Sequence, residues 1–239
     1  MDTVKLQKYF TDCGVLSRRA AESEIDAGRV KVNGETAYLG MRIDPERDTV
    51  EYKGRILRPL KSARICIMLN KPRGFVTTLS DERGRPTVSE LLSDLDRRVY
   101  PVGRLDMDSD GLLLLTDDGE LANKLTHPKH EIPKIYRVTV KGEVDADTLK
   151  RLGEAMVIDG YKILPVKTSV VSFSSSKNDT LLEMELYEGR NRQIRKMCEL
   201  CGLKITRLQR IAIGALKLGS LPLGKWRQLT ERELEYLKK

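Results

Sequence analysis

Histidine is almost absent from this chain of 239 residues: there are two, His127 and His130. They flank Pro128 and lack zinc-like spacing to Cys13, Cys66, Cys198 or Cys201, so no metal site is expected. Four cysteines are too few for a disulfide scaffold at this length and fit a reducing cytoplasm. Long apolar runs are missing too. The longest, residues 112–115 and 65–69, fall far short of a bilayer crossing, which excludes a transmembrane helix and a membrane partner. The first ten residues are polar and mixed in charge, unlike a secretory signal. No Walker loop, G-x-G-x-x-G or G-x-S-x-G occurs, so nucleotide hydrolysis, a nucleotide cofactor and acyl transfer have no support.

What the chain does have is an uneven distribution of charge. Its 43 Lys+Arg exceed its 35 Asp+Glu by eight. Residues 1–60 carry a net +1 and residues 61–185 a net −1, so the whole excess sits in residues 186–239. A basic excess that concentrated is either an electrostatic footprint for a polyanion or a solvated basic face. With 40% hydrophobic residues, the length supports one large folded domain or two modest ones.

The local patterns predict a small module over residues 1–60. Val4, Leu6, Tyr9 and Phe10 have helical spacing up to Gly14. Ser17 is placed to cap a helix over 18–27 that turns Ala21 and Ile25 inward and stops at Gly28. Val30 and Val32 alternate before an Asn33-Gly34 hairpin turn, and two more strands flank Lys53-Gly54. A short basic linker, 61–64, leads to a second domain over 65–239. There the pattern predicts a strand, a turn over Lys71-Pro72-Arg73-Gly74 and a second strand, then a helix over 87–95 and a buried strand over 112–115. Further on it predicts a strand over 134–141, a helix over 146–155, and a hairpin joining 163–172 to 180–186. A helix over 190–201 and a last one from Thr230, with Glu233 completing its capping box, follow. Strands and helices without a regular βαβ beat make this an α+β protein.

Asp106, Asp108, Asp110 and Gly111 nearly match a calcium-loop expression, with Asp117 at the twelfth position. Pro101 and Gly103 preclude the entering helix and residues 112–115 form a strand, so the context fails. Cys198 and Cys201 form a lone C-x-x-C pair in which Cys198 faces a helix core. The residues alone leave Asp106 either a turn-former or a reactive carboxylate set beside Arg104.

Two resemblances narrow this. KLQKYFTDCGVLSRRAAESEIDAGRVKVNG followed by VEYKG resembles the S4-like RNA-binding domain. That resemblance implies phosphate contacts at Lys5, Lys8, Arg18, Arg19, Arg29 and Lys31. The ordered motifs LNKPRGFVTT, DERGRPTV, VGRLDMDSDGLLLLTDDGELANKLTHP, KIYRVTV and EGRNRQIRKM resemble the RsuA/RluB-type ribosomal RNA pseudouridine synthases. The implied fold is an S4-like module before a catalytic domain with a mixed, mostly antiparallel sheet. The implied reaction isomerises a uridine of ribosomal RNA: N1–C1′ breaks, the base turns, and C5 rejoins C1′. No redox or group transfer occurs, so no cofactor is implied. Asp106 matches the family's catalytic aspartate, Arg195 its basic partner, and Tyr136 the aromatic that packs on the target base. Arg104 is implied to hold the flipped nucleotide, because chemistry on a stacked base requires extrusion. Asn70, Lys71, Arg73 and Arg192 are expected near the substrate, Asp108 and Asp110 shape the bend, and Arg207 and Arg210 are expected on the rim. GRPTV and GELANKL lean toward large-subunit RNA. The alternatives are small-subunit RNA, a non-catalytic RNA-binding or ribosome-assembly protein, and a DNA-binding regulator. No apolar stripe is left over for a partner, so a monomer is expected.

Overall fold

Ser17 starts the second helix of the N-terminal unit, Met1–Ala63, by accepting a hydrogen bond from the Ala20 N–H. The computed structural model describes residues 3–59 and 63–238, so residues 61 and 62 of the expected linker lie outside it. Helix α1 (Leu6–Asp12) buries Leu6, Tyr9 and Phe10; α2 (Arg18–Asp26) buries Ala21 and Ile25. Strands β1 (Val30–Val32) and β2 (Glu35–Thr36) join through Asn33 and Gly34, both at positive φ, as a primed hairpin turn requires. β3 (Val50–Tyr52) and β4 (Arg55–Ile56) complete a sheet of order β2-β1-β3-β4. Phe10 meets Tyr52 edge-on at 5.3 Å in the core beneath it. Val4 is not helical as expected. Lys5 stays extended and the Leu6 N–H bonds to the Met41 carbonyl, which sets Val4 opposite Ile43 in a two-residue strand pair.

The second unit, Arg64–Lys239, is built on a nine-stranded sheet. Its strands are β5 (Cys66–Lys71), β6 (Tyr100–Val102), β7 (Asp110–Thr116), β8 (Lys134–Lys141), β9 (Lys167–Ser174), β10 (Asp179–Leu186), β11 (Ile205–Ile213), β12 (Leu216–Lys217) and β13 (Trp226–Gln228). The order is β9-β10-β8-β11-β7-β5-β13, with β12 on β11 and β6 on β7. Every pairing is antiparallel except the seam between β11 and β7, where Gln209 and Arg210 face Asp110 and Gly111. That seam is tight. A Cβ on Gly111, at φ +107°, would lie 2.2 Å from the Arg210 carbonyl oxygen, so only glycine fits.

Helices α3 (Gly119–Thr126) and α6 (Glu231–Lys238) cover one half of the sheet; α4 (Ala146–Gly153) and α5 (Gln193–Leu200) cover the other. Asp118 caps α3, and Thr230 and Glu233 exchange the reciprocal bonds of a capping box at α6. Cys198 is fully buried in the core beneath α5. Three expectations fail locally. Residues 75–78 form one isolated bridge, Val76 to Thr87, because the Thr77 hydroxyl donates instead to the Leu105 carbonyl at 2.7 Å. The helix over 87–95 shrinks to one 3₁₀ turn, Glu90–Leu92; Ser89 donates to the Leu79 carbonyl and draws the segment aside. Residues 163–166 precede the strand β9 and are not part of it; the Ile163 N–H bonds to the Met156 carbonyl and the Val166 N–H to the Gly153 carbonyl.

Candidate active site

Gly103, at φ +73°, turns the chain out of β6, and the turn at residues 106–109 carries it into β7. Lys71, the last residue of β5, fixes this turn from below. Its side chain is fully buried and its ammonium donates to the carbonyls of Pro72, Asp106 and Ser109 at 3.0, 3.0 and 2.9 Å. Burial lowers its pKa to about 8, against the opposing pull of Asp110, Asp106 and Asp108. With three carbonyls accepting, Lys71 has no donor left for RNA, which corrects its expected role. Asn70 is likewise buried and donates its amide to the Leu221 carbonyl.

Helix α5 brings two arginines to the turn. Arg195 sets Nε 3.6 Å from the Asp106 carboxylate and donates through Nη2 to the Asp108 carbonyl and the Ser109 hydroxyl. Arg192 spans both acids, its Nη1 lying 3.3 Å from Asp106 Oδ2 and from Asp108 Oδ1. It does so from a left-handed backbone at φ +51°, immediately before α5, a strained conformation for a residue with a Cβ. Burial pushes the Asp108 carboxyl up, but the Arg192 hydrogen bond and the charges of Arg195 and Arg192 hold it below the usual carboxylate range. Asp108 therefore does more than shape a bend, because it shares both arginines with Asp106. Asp110 is almost fully buried and held by Arg207 at 3.0 Å, with Arg73 at 3.6 Å. Arg73 also donates to the Thr206 carbonyl.

Asp106 stands where two clefts meet. One, of about 510 Å³, is lined by Arg104, Asp106, Lys134, Tyr136, Arg192 and Arg210. The other, of about 1070 Å³, is lined among others by Arg73, Arg83, Arg85, Arg104 and Arg192. Tyr136 is half-buried on β8, across the sheet from Arg210, and Arg104 is exposed at the junction of the clefts. Arg207 is half-exposed and rests against Asp110. Arg210 is not on the rim: it is 5% exposed and its Nε donates to the Leu112 carbonyl at 2.7 Å. Sequence reasoning overlooked Lys134. A signal was present in the alternation of β8, where Lys134 shares a face with Tyr136 and Val138; on β11 the residues paired with that face are Ile213, Arg210 and Leu208, the alternation being broken by a bulge after Arg210.

In the N-terminal unit Lys5, Arg18, Arg19, Arg29 and Lys31 are exposed. Arg29 is held by Glu24 through two hydrogen bonds of 2.8 and 2.9 Å, and Lys8 lies 3.3 Å from Asp12. Among the described residues no cluster of three or more His, Cys, Asp or Glu side chains is arranged to hold a metal, and no helix is long and apolar enough to cross a membrane.

The RNA pseudouridylate synthase family model matches residues 65–200, and the chain belongs to that family of enzymes. It is 43% identical over 239 residues to a protein of Aquifex aeolicus described as an uncharacterized RNA pseudouridine synthase, covering 99% of this chain and 94% of the other. It is 39% identical to the ribosomal large subunit pseudouridine synthase B of Bacillus subtilis, covering 98% and 95%. A crystal structure of a pseudouridylate synthase superposes with a TM-score of 0.70 at 31% identity over 98% of this chain and 99% of that one. The second unit thus has the pseudouridine synthase fold, with a mixed and mostly antiparallel sheet.

Proposed function

We propose that this enzyme isomerises one uridine of large-subunit ribosomal RNA, with Asp106 as the reacting carboxylate. The observation that carries the reading is the position of Asp106 at the meeting of two clefts, one bearing Tyr136 and the other bearing arginines, with Arg195 and Arg192 on its carboxylate. The arginines of the larger cleft suit an RNA backbone, and a base swung out of its stack enters the smaller one against the Tyr136 ring. There the N1–C1′ bond breaks as C1′ becomes electron-poor beside Asp106, which meets that charge or removes a sugar proton. Arg195, with Nε 3.6 Å from the carboxylate, holds it aimed. The base turns, C5 joins C1′, the proton on C5 leaves to water, and N1 takes up a proton from water, so the product is an isomer of the substrate. The large-subunit assignment is supported by the name of the Bacillus subtilis relative. Read as an S4-like module, the N-terminal unit adds RNA contacts through the exposed Lys5, Arg18, Arg19 and Lys31.

The test is a pseudouridine map of ribosomal RNA from a strain lacking the gene, complemented with the wild type or with Asp106→Asn. The expected result is one missing pseudouridine in large-subunit RNA, restored by the wild type alone. A complete map in the deletion strain would show that the chain serves RNA binding or assembly instead.

A further inference from the structure

The smaller cleft contains two cations that the proposed chemistry has not yet used. Arg210 is fixed by its Nε on the Leu112 carbonyl, and its buried Nη2 has no hydrogen-bond partner among the described residues. Lys134 lines the same cleft from β8, two residues before Tyr136 and therefore on the same face of the strand. Arg210 lies directly across from Tyr136 in the pairing of β8 with β11. Among the described residues no carboxylate lies within ion-pair distance of either cation. Glu188, on the same cleft, accepts instead from Gln193 and the Leu164 N–H. Burial, and then the charge of Arg210, lowers the pKa of Lys134.

Two sequestered like charges without a counter-ion are unfavourable unless an anion completes them. The anion is unlike a backbone phosphate, which the exposed arginines of the larger cleft are placed to meet. Resting on the isomerase reading above, we propose that Lys134 and Arg210 form a cationic floor that stabilises the uracil anion released when N1–C1′ breaks. Both electrons of that bond stay with the base, where they spread over N1, O2 and O4. C1′ is left electron-poor beside Asp106. The base, packed on Tyr136, turns above the floor; C5 then gives an electron pair to C1′, its proton passes to water, and N1 takes up a proton from water. The negative charge exists only between the two bond changes, so the floor binds that state more strongly than the substrate, as catalysis requires. It also retains the base while no covalent bond holds it.

The test compares two substrates in single turnover: a ribosomal RNA fragment spanning the uridine identified by mapping, and the same fragment with 5-fluorouridine there. Fluorine withdraws electrons and stabilises the base anion by itself. Conversion is read as loss of the N-linked nucleoside after nuclease digestion. Lys134→Met is expected to slow conversion of uridine about 30-fold, with the Kd for RNA within about twofold of wild type. On 5-fluorouridine its deficit should shrink to about threefold or less, and Lys134→Arg should restore most of the rate on uridine. Arg210→Lys should show the same substrate-dependent deficit. Because the two rates come from one preparation, their ratio does not depend on how much of a variant is folded. Equal deficits on both substrates, or a loss that follows Kd, overturn the cationic floor alone. A wild type that converts neither substrate overturns the isomerase reading and the floor with it.

Discussion

The two sides of the smaller cleft treat charge in opposite ways. On one side Asp106 and Arg192 line the cleft and, with Asp108 and Arg195 beside them, form a cluster in which each charge faces an opposite one at 3.1–3.6 Å. On the other, Lys134 and Arg210 face no carboxylate within ion-pair distance among the described residues. The paired side is complete before RNA arrives and serves to hold a carboxylate in one place. The unpaired side is completed only by what the reaction creates. Lys71 shows a third solution: a buried cation satisfied by three neutral carbonyls, which anchors the turn carrying the paired side.

Breaking the paired side should have the largest effect. Arg195→Met removes the Nε contact to Asp106 and both Nη2 bonds to the turn, so kcat should fall about 100-fold, with a much smaller change in KM; steady-state kinetics on the mapped RNA check this. A loss confined to KM would show that Arg195 binds RNA and does not aim the carboxylate. Lys71→Met leaves one buried and two part-buried carbonyls without their donor and should cost about 2–3 kcal/mol in denaturant unfolding. Stability within about 0.5 kcal/mol of the wild type would remove Lys71 from the anchor. Asp108→Asn weakens the hold on both arginines while sparing the reacting carboxylate. Its expected cost is about threefold to tenfold in kcat, and a larger loss would make Asp108 a participant comparable to Asp106.

An ordinary ion pair away from the cleft calibrates the comparison. Glu233 is lowered to about 2 by its hydrogen bond from Arg227, with the Thr230 cap assisting. The folded pKa lies below the ordinary carboxylate value, so this pair's contribution is present above about pH 4.5 and disappears as pH falls toward 2. The Tm difference between wild type and Glu233→Gln should therefore be about 2 °C or less at neutral pH and should shrink on acidification. A difference that grows on acidification would reverse the sign of the pair's role.

How much of this was legible in the sequence depended on how far each cause reached along the chain. The bounds of β8 follow from strict alternation, and α2 follows from Ser17 and Gly28, so local chemistry was enough. Residues 75–78 and 87–95 were misjudged because Thr77 and Ser89 bond to the distant carbonyls of Leu105 and Leu79, which no local pattern reveals. In the sequence Lys71 belongs to a solvent-exposed Lys-Pro-Arg-Gly turn. It is buried because the turn at residues 106–109 folds over it, 35 residues away for Asp106. Asp106, Arg195 and Tyr136 were picked out by motif resemblance, and the fold brings all three to one region. The basic excess of residues 186–239 was placed on the rim as a whole. Its arginines in fact divide: Arg192 and Arg195 grip acids, Arg207 holds Asp110, and Arg210 is drawn under the seam by its approach to Gly111. The seam pairing of β11 with β7 sets apart the fate of Arg210 alone.

The central claim is that Asp106 performs the chemistry and is not needed for grip. Release of tritium from 5-tritiated uridine in ribosomal RNA, measured beside filter binding of the same RNA, tests it most directly. The wild type should release about one equivalent at the mapped uridine, while Asp106→Asn binds with a similar Kd and releases none. Tritium release by Asp106→Asn at the wild-type rate would contradict the account.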